Sequence, residues 1–349
     1  MRLIKTSLSL LTVGIVIFSF FVLWSYFNTP TNFLVNPKII PTTTTTKPAE
    51  VSFLAVGDIM LSRGVAYKIG KHTPEYPFEK TKDILWKSDL VFGNLEGPIL
   101  QGREIKDGEM VFRIDPNLVS TLSGSNFGIF SLANNHIPNF DEEGIKSTIT
   151  KLNYQSIYTV GAGKGEEAYQ PTIINVKGIK IAFLAYTDPI MVPVSYGASE
   201  EHYGTAFMDS SRLDKDITSA KEKADLVIVY MHSGEEYETT PTSRQTKFAR
   251  AAIDSGAHLV IGSHAHVVQS IEKYKDKYIV YGLGNFIFDQ MFSLQTRQGV
   301  MAKFILTKEG VKSLDFVPFL INDYCQPTPV VGADATKILK LLKLDSLSK

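Results

Sequence analysis

The chain of 349 residues holds one cysteine, Cys325, so no intrachain disulfide can brace it and no thiolate cluster can hold a metal. It has no excess of either charge: Lys and Arg number 36, as do Asp and Glu, which removes the basic surface that a nucleic-acid partner requires. It has no internal repeat, which excludes a repeat array. With 44% hydrophobic and 21% charged residues, the chain reads as one large folded domain plus accessory segments.

Charge is also missing from Leu8 to Phe27, LSLLTVGIVIFSFFVLWSYF, a run long enough to cross the roughly 30 Å hydrocarbon core as a helix. Arg2 and Lys5 precede it and no charge follows until Lys38, so the positive-inside bias puts the amino terminus in the cytoplasm and the remainder outside. No small-residue cleavage site follows the run, so residues 1–27 are expected to stay as a single-pass anchor in the cell membrane. Residues 28–50 are rich in Pro and Thr and cannot form a core; at about 3 Å per residue this linker could reach roughly 70 Å.

From Val51 onward, short Val/Ile/Phe/Leu runs alternate with amphipathic stretches, the mark of an α/β fold with buried strands. The expected strands are VSFLAV, DLVFG, FGIFSLA, KIAFLAY, DLVIVYM, HLVIG and YIVYGLG, and later VMAKFIL and VKSLDFVPFLI. Helices are expected at DEEGIKSTITKLN, at SRQTKFARAAIDSG and, in a C-terminal tail over residues 326–349, at ATKILKLLKL. No second domain boundary is visible.

The informative regularity lies at the end of each apolar run: Asp58, then Asn94 and Glu96, then Asn134-Asn135-His136, His232, His264 with His266, and Asn285. Taken singly these residues say little: an Asp after Gly is usually a turn residue, and a histidine ending a strand is often a satisfied core side chain. Four of the seven histidines nevertheless directly follow apolar runs, whereas His72, His202 and His258 do not and read as structural. In open α/β sheets the strand carboxyl ends share one rim, so these groups would converge there.

Asp58, Glu96, Asn135, His232, His264 and His266 form a mixed nitrogen and oxygen donor set suited to one or two divalent ions, with Mn²⁺, Zn²⁺ or Fe²⁺ favoured and Mg²⁺ conceivable. Glu96 is the natural bridge between two ions, and His136 could protonate a leaving oxygen beside them.

FLAVGDIMLSRGV, LVFGNLEGPI, SLANNH, VIVYMHSGEEY, GAHLVIGSHAHVVQ and YGLGNFIFDQ resemble, in order, the motifs of the CapA family of capsule synthesis proteins, over residues 51–325. That resemblance implies a metallophosphatase-like domain, a four-layer α-β-β-α sandwich with metal at the strand ends, working in poly-γ-glutamate capsule synthesis. It implies that Asp58 binds the first ion, that Glu96 bridges, that Asn135 and His232 bind the second, and that His264 and His266 complete the shells. Arg63, Asn94, Glu235 and Asn285 would contact substrate or support the ligands, Arg63 being suited to an anionic carboxylate or phosphate.

This chain departs from the pattern at Met60, where related phosphatases have a histidine ligand, and at Ser233, Ala265 and Asn139, where the family commonly has Trp, Pro and Asp. The expected activity is therefore that of an anchored, extracytoplasmic metal-dependent hydrolase acting on a phosphoester or an anionic polymer. The alternative is a non-catalytic component that binds the polymer for assembly or export, working with other capsule proteins.

Overall fold

Val51–Ile59 (β1) is an uncharged run of β-branched, aromatic and small residues up to Asp58, and all but one of its residues are buried, as a strand flanked on both sides requires. The computed structural model describes residues 49–344, and the further strands in chain order are Leu90–Leu95 (β2), Phe127–Ser131 (β3), Tyr158–Val160 (β4), Ala162–Lys164 (β5), Thr172–Val176 (β6), Ile179–Thr187 (β7), Tyr203–Thr205 (β8), Leu226–Ser233 (β9), Leu259–His264 (β10), Ile271–Tyr274 (β11), Lys277–Val280 (β12), Asn285–Ile287 (β13), Gln298–Thr307 (β14), Gly310–Asn322 (β15) and Gln326–Pro329 (β16). They form a mixed α/β fold. One sheet has the order β16-β15-β14-β1-β2-β3-β4 with β13 also paired to β1; a second has the order β11-β12-β10-β9-β7-β6; β5 and β8 pair as a small two-stranded sheet.

The period of two along the strands divides the apolar residues between layers. Phe53, Phe92 and Ile129 of the first sheet meet Phe183, Ile228 and Ile261 of the second, with the Phe53 and Phe183 rings 5.8 Å apart. On the outer face of the first sheet Leu54, Val91 and Phe130 pack with Val65, Leu122 and Ile145 of the helices Arg63–Lys71, Val119–Gly124 and Asp141–Tyr154. On the outer face of the second, Val227, Val229 and Val260 pack with Ile217, Phe248 and Ala252 of the helices Leu213–Lys221 and Ser243–Asp254. The layers are thus helix, sheet, sheet, helix.

The expected strand YIVYGLG ends early: only its first three residues lie in β12, and after Gly284, with a left-handed φ of 76°, the chain enters β13 of the first sheet at Asn285. The stretch after Cys325 is bound to the first sheet: β16 pairs with β15, and Ile338 of the helix Gly332–Leu341 and Leu342 join the inter-sheet core. Among the described residues no helix is long and apolar enough to cross a membrane. The anchor expected at residues 1–27 and nearly all of the linker lie outside those residues.

Candidate metal centre

In both sheets the central strands run parallel, β1 to β4 in one and β7, β9, β10 and β12 in the other, so their carboxyl ends can share a rim. The approach is close where β1 ends. A Cβ on Gly57 would lie 1.8 Å from the Gly284 carbonyl oxygen, so only glycine lets the two backbones meet. There the register of β1 shifts and Asp58 comes level with Asn285 on one side and Asn94 on the other.

Asp58 is fully buried. Its Oδ1 accepts hydrogen bonds from Asn94 Nδ2 at 2.8 Å and Ser263 Oγ at 2.5 Å, and Oδ2 accepts from the His264 backbone N–H at 3.3 Å. Burial alone would raise its pKa, but the hydrogen bond from His266 and the nearby His232 hold it below the ordinary carboxylate range, so it is anionic. Glu96 is also fully buried, yet its Oε1 has no hydrogen-bond partner; His136 Nε2 and His266 Nε2 each stand 3.9 Å from it. Burial, and then the charge of Asp58, push the Glu96 carboxyl well above its ordinary value. A buried carboxylate oxygen left without a donor beside a second carboxylate is what a cation would satisfy.

The imidazoles come from the other sheet. His232, at the end of β9, directs Nε2 to Asn135 Oδ1 at 2.8 Å and to His264 Nδ1 at 3.2 Å. Burial lowers the pKa of His232 to about 3 and of His136 to about 4, and drives His264 well below the ordinary value, so all three are neutral with nitrogen lone pairs free to ligate. His266 is the exception: burial acts to lower it, but Glu96 and Asp58 raise it to about 9, making it the counter-charge of the two acids. Asp58, Glu96 and His232 offer ligand atoms all within 4.8 Å of one another.

Two asparagines fix which nitrogen of a ring faces the acids. Asn285 Nδ2 donates to Gln290 Oε1 and to the Thr296 carbonyl, both at 3.0 Å, so its Oδ1 must accept from His266 Nδ1 at 2.8 Å and leave Nε2 toward Glu96. Likewise Asn139 Oδ1 accepts the Phe112 backbone N–H at 2.8 Å, so His136 Nδ1 donates to it at 3.0 Å and Nε2 faces Glu96. Asn139 thus keeps the orientation that an aspartate would give, without the charge.

The structure brings Asp58, Glu96, Asn135, His136, His232, His264 and His266 together. Asn94 and Asn285 are wholly buried among them, bonded to Asp58 and His266. Arg63 stands at the edge with its guanidinium 4.6 Å over the Phe112 ring and paired with Asp289 at 2.5 Å. Glu235 is exposed on the loop after β9; it is the charge of its neighbour Glu236 that acts on Glu96 and His266. Met60 is buried in the outer core, its sulfur accepting from the Ser62 N–H at 3.1 Å.

Two extended residues at i and i+2 point the same way, but β10 ends at His264, and the two histidines converge through a turn with φ of 101° and 57°. Backbone there costs on the order of 1–3 kcal/mol per residue and persists where the surroundings impose it. Sequence reasoning missed Ser263 and Tyr230, and placed Asn134 at the rim without giving it a role. Tyr230 OH lies 3.1 Å from His232 Nδ1 and 2.5 Å from Ser263 Oγ, and Asn134 Nδ2 donates to Asn94 Oδ1 at 3.0 Å. Ser263 and Asn134 each adjoin an expected ligand, which was the available signal; Tyr230 sits two residues before His232 on the same strand face.

A family model described as bacterial capsule synthesis protein PGA_cap matches residues 52–290. The capsule biosynthesis protein CapA of Bacillus anthracis is 33% identical over 311 residues, covering 85% of this chain and 74% of that protein. The PGA biosynthesis protein CapA of Bacillus subtilis (strain 168) is 33% identical over 283 residues, covering 79% and 72%. Among solved structures, a hypothetical protein from Thermus thermophilus shares the fold with a TM-score of 0.50 at 16% identity, covering 78% of this chain and 100% of that one.

Proposed function

The chain belongs to the PGA_cap family of bacterial capsule synthesis proteins, and from that premise we propose that it serves poly-γ-glutamate capsule synthesis as a membrane-anchored, outward-facing, metal-dependent hydrolase. The observation that carries the hydrolase reading is the buried, donorless Oε1 of Glu96 beside the anionic Asp58 and within reach of neutral imidazoles. Asp58, Glu96 and His266 would hold one divalent ion, His266 giving up the proton that the two acids hold on it in the metal-free site, and Asn135, His232 and His264 a second, with Glu96 as the bridge. A bound ion supplies positive charge opposite a developing oxyanion and acidifies a water to serve as nucleophile.

The chain's own groups then divide the remaining work. Asn94 and Ser263 hold the Asp58 carboxylate in place, and Asn285 holds His266. His136, stacked on Phe112 with ring centroids 3.9 Å apart, has its one N–H at Nδ1, held by Asn139, and turns a bare Nε2 to the side of Glu96; a proton taken up at Nε2 during turnover would be the one passed to a leaving oxygen. The anchor reading is supported by the uncharged run from Leu8 to Phe27 with its basic flank.

Elemental analysis of the purified protein, followed by turnover of an aryl phosphate and of a γ-glutamyl amide with and without added Mn²⁺, tests this. One or two metal atoms per chain and metal-dependent cleavage of either bond are expected. Metal present with neither bond cleaved would leave the polymer-binding role instead, and His136→Ala would then leave capsule production intact.

A further inference from the structure

Two arginines beside the metal centre are in opposite electrostatic states. Arg63, which opens the helix Arg63–Lys71, is neutralised by Asp289 and also donates to the Glu109 carbonyl at 3.1 Å. Arg113 is 9% exposed and has no carboxylate partner among the described residues; its Nε and Nη1 donate to the carbonyls of Arg103 at 2.8 Å and Leu100 at 2.9 Å. Those dipoles brace the loop but do not cancel the charge. A guanidinium stays protonated at any physiological pH, and burying it without a counter-ion is costly.

The third nitrogen, Nη2, makes no hydrogen bond among the described residues. It is not sealed in either, since among the described residues the enclosed side-chain atoms without partners are Arg63 Nε and Glu96 Oε1. It therefore keeps some exposure, and Arg113 lines a cleft of about 510 Å³ between the helix Arg63–Lys71 and the 102–105 segment. Leu61, Ile69, Ile105 and Leu118 give the cleft an apolar lining. Of the two acids at its border, Asp115 is occupied in accepting the Asn117 N–H at 2.9 Å, and Glu104 is exposed. Neither makes an ion pair with Arg113.

This cleft adjoins the metal centre. The Arg113 backbone N–H donates to Ser62 Oγ at 3.3 Å, and the preceding residue, Phe112, is the ring against which both His136 and Arg63 lie. We propose that Arg113 is the anion-binding group of a subsite in this cleft, taking a carboxylate or phosphate through its free guanidinium edge. Only the choice of a γ-glutamyl carboxylate as the natural ligand rests on the capsule reading.

The test is calorimetric titration of the full-length protein, stripped of metal with chelator, against γ-linked tetraglutamate and against inorganic phosphate at low and high salt. Saturable binding of at least one probe, weakened by salt, is expected, with a loss of about tenfold or more in Arg113→Gln and a smaller loss in Arg113→Lys, which keeps the charge but not the fork. Should Arg113→Gln fail to fold, phenylglyoxal labelling of the wild type with peptide mapping replaces it, and either probe should suppress the Arg113 adduct. Binding of phosphate alone upholds the subsite and withdraws the γ-glutamyl assignment. Absence of saturable binding in the wild type, undiminished affinity in a folded Arg113→Gln, or equal labelling with and without probe would overturn the proposal.

Discussion

Glu96→Gln should make the metal-free protein more stable and the metal-loaded protein less so, a reversal that a merely structural glutamate would not produce. In the metal-free chain Glu96 Oε1 is fully buried without a donor, and Asp58 repels its charge. Leaving such a group unsatisfied costs about 1–3 kcal/mol, most of which the neutral amide would recover because Gln can donate toward the Asp58 side. With an unfolding entropy of about 2.1 cal/mol/K per residue, a body of roughly 300 residues changes its midpoint by about 1 °C for each 0.6 kcal/mol, so chelator-treated Glu96→Gln should melt roughly 2–5 °C above wild type. Added metal at one hundred times its dissociation constant stabilises the wild type by about 2.7 kcal/mol, again roughly 4–5 °C, and the variant by far less. Differential scanning calorimetry of both proteins in chelator and in Mn²⁺ or Zn²⁺ would show the two curves changing order. A variant that melts below wild type in chelator, or that gains as much from metal, would refute the reasoning.

Asn285→Leu removes the carbonyl that holds His266 Nδ1–H and should weaken metal binding about 10–100-fold while the fold persists, as read by chelator competition. Arg212 makes paired hydrogen bonds to Glu166, contacts the buried Asp216 at 3.2 Å and lies 3.6 Å over the Tyr169 ring; Arg212→Ala removes the counter-charge of the Asp216 carboxylate, leaving it the Tyr186 hydroxyl at 2.9 Å, and should cost about 3 kcal/mol in urea unfolding. His258 lies away from the metal centre, and its Nδ1 accepts the Val227 N–H. Burial, and then the nearby Lys277 and Lys221, lower its pKa to about 4. The unfolded chain therefore binds this proton first, so the contribution is intact above about pH 6.5 and drains away as pH falls toward 4. Wild type should lose more urea midpoint between pH 7.5 and pH 5 than His258→Gln does.

The donors at the centre were legible because strand ends in a parallel sheet leave a sequence mark: an apolar run that stops on Asp58, Asn94, His232 or His264. The short or edge strands β4, β5, β6, β8, β11 and β16 were not, since three to five residues carry too little periodicity, and the prolines of β16 argue against a strand unless it lies at an edge, where it does lie. The roles of Asn94 and Asn285 were open between substrate and ligand support because an amide reads alike in both; only their complete burial and their bonds to Asp58 and His266 place them behind the ligands. The pairing of Arg63 with Asp289, far away in the sequence, left no sequence mark. Arg113 left no mark, because what distinguishes it is the lack of a carboxylate partner among the described residues.

The division of the donors between the sheets has an energetic consequence. Asp58 and Glu96 belong to the first sheet and His232 and His264 to the second, and between the two lies an apolar core that has no directional preference of its own. Dispersion and apolar burial hold the sheets together but tolerate small relative shifts. The hydrogen bond from Ser263 on β10 to Asp58 on β1, at 2.5 Å, is directional and fixes the rim. An ion bound by both sheets would add bonds of fixed length across the same seam, so metal should stabilise the inter-sheet interface more than either outer helical layer. Hydrogen exchange would report this as added protection concentrated in β1, β2, β9 and β10 on metal binding. Protection spread evenly over the helices would mean that the ion is held by one sheet alone and that the seam plays no part in binding it.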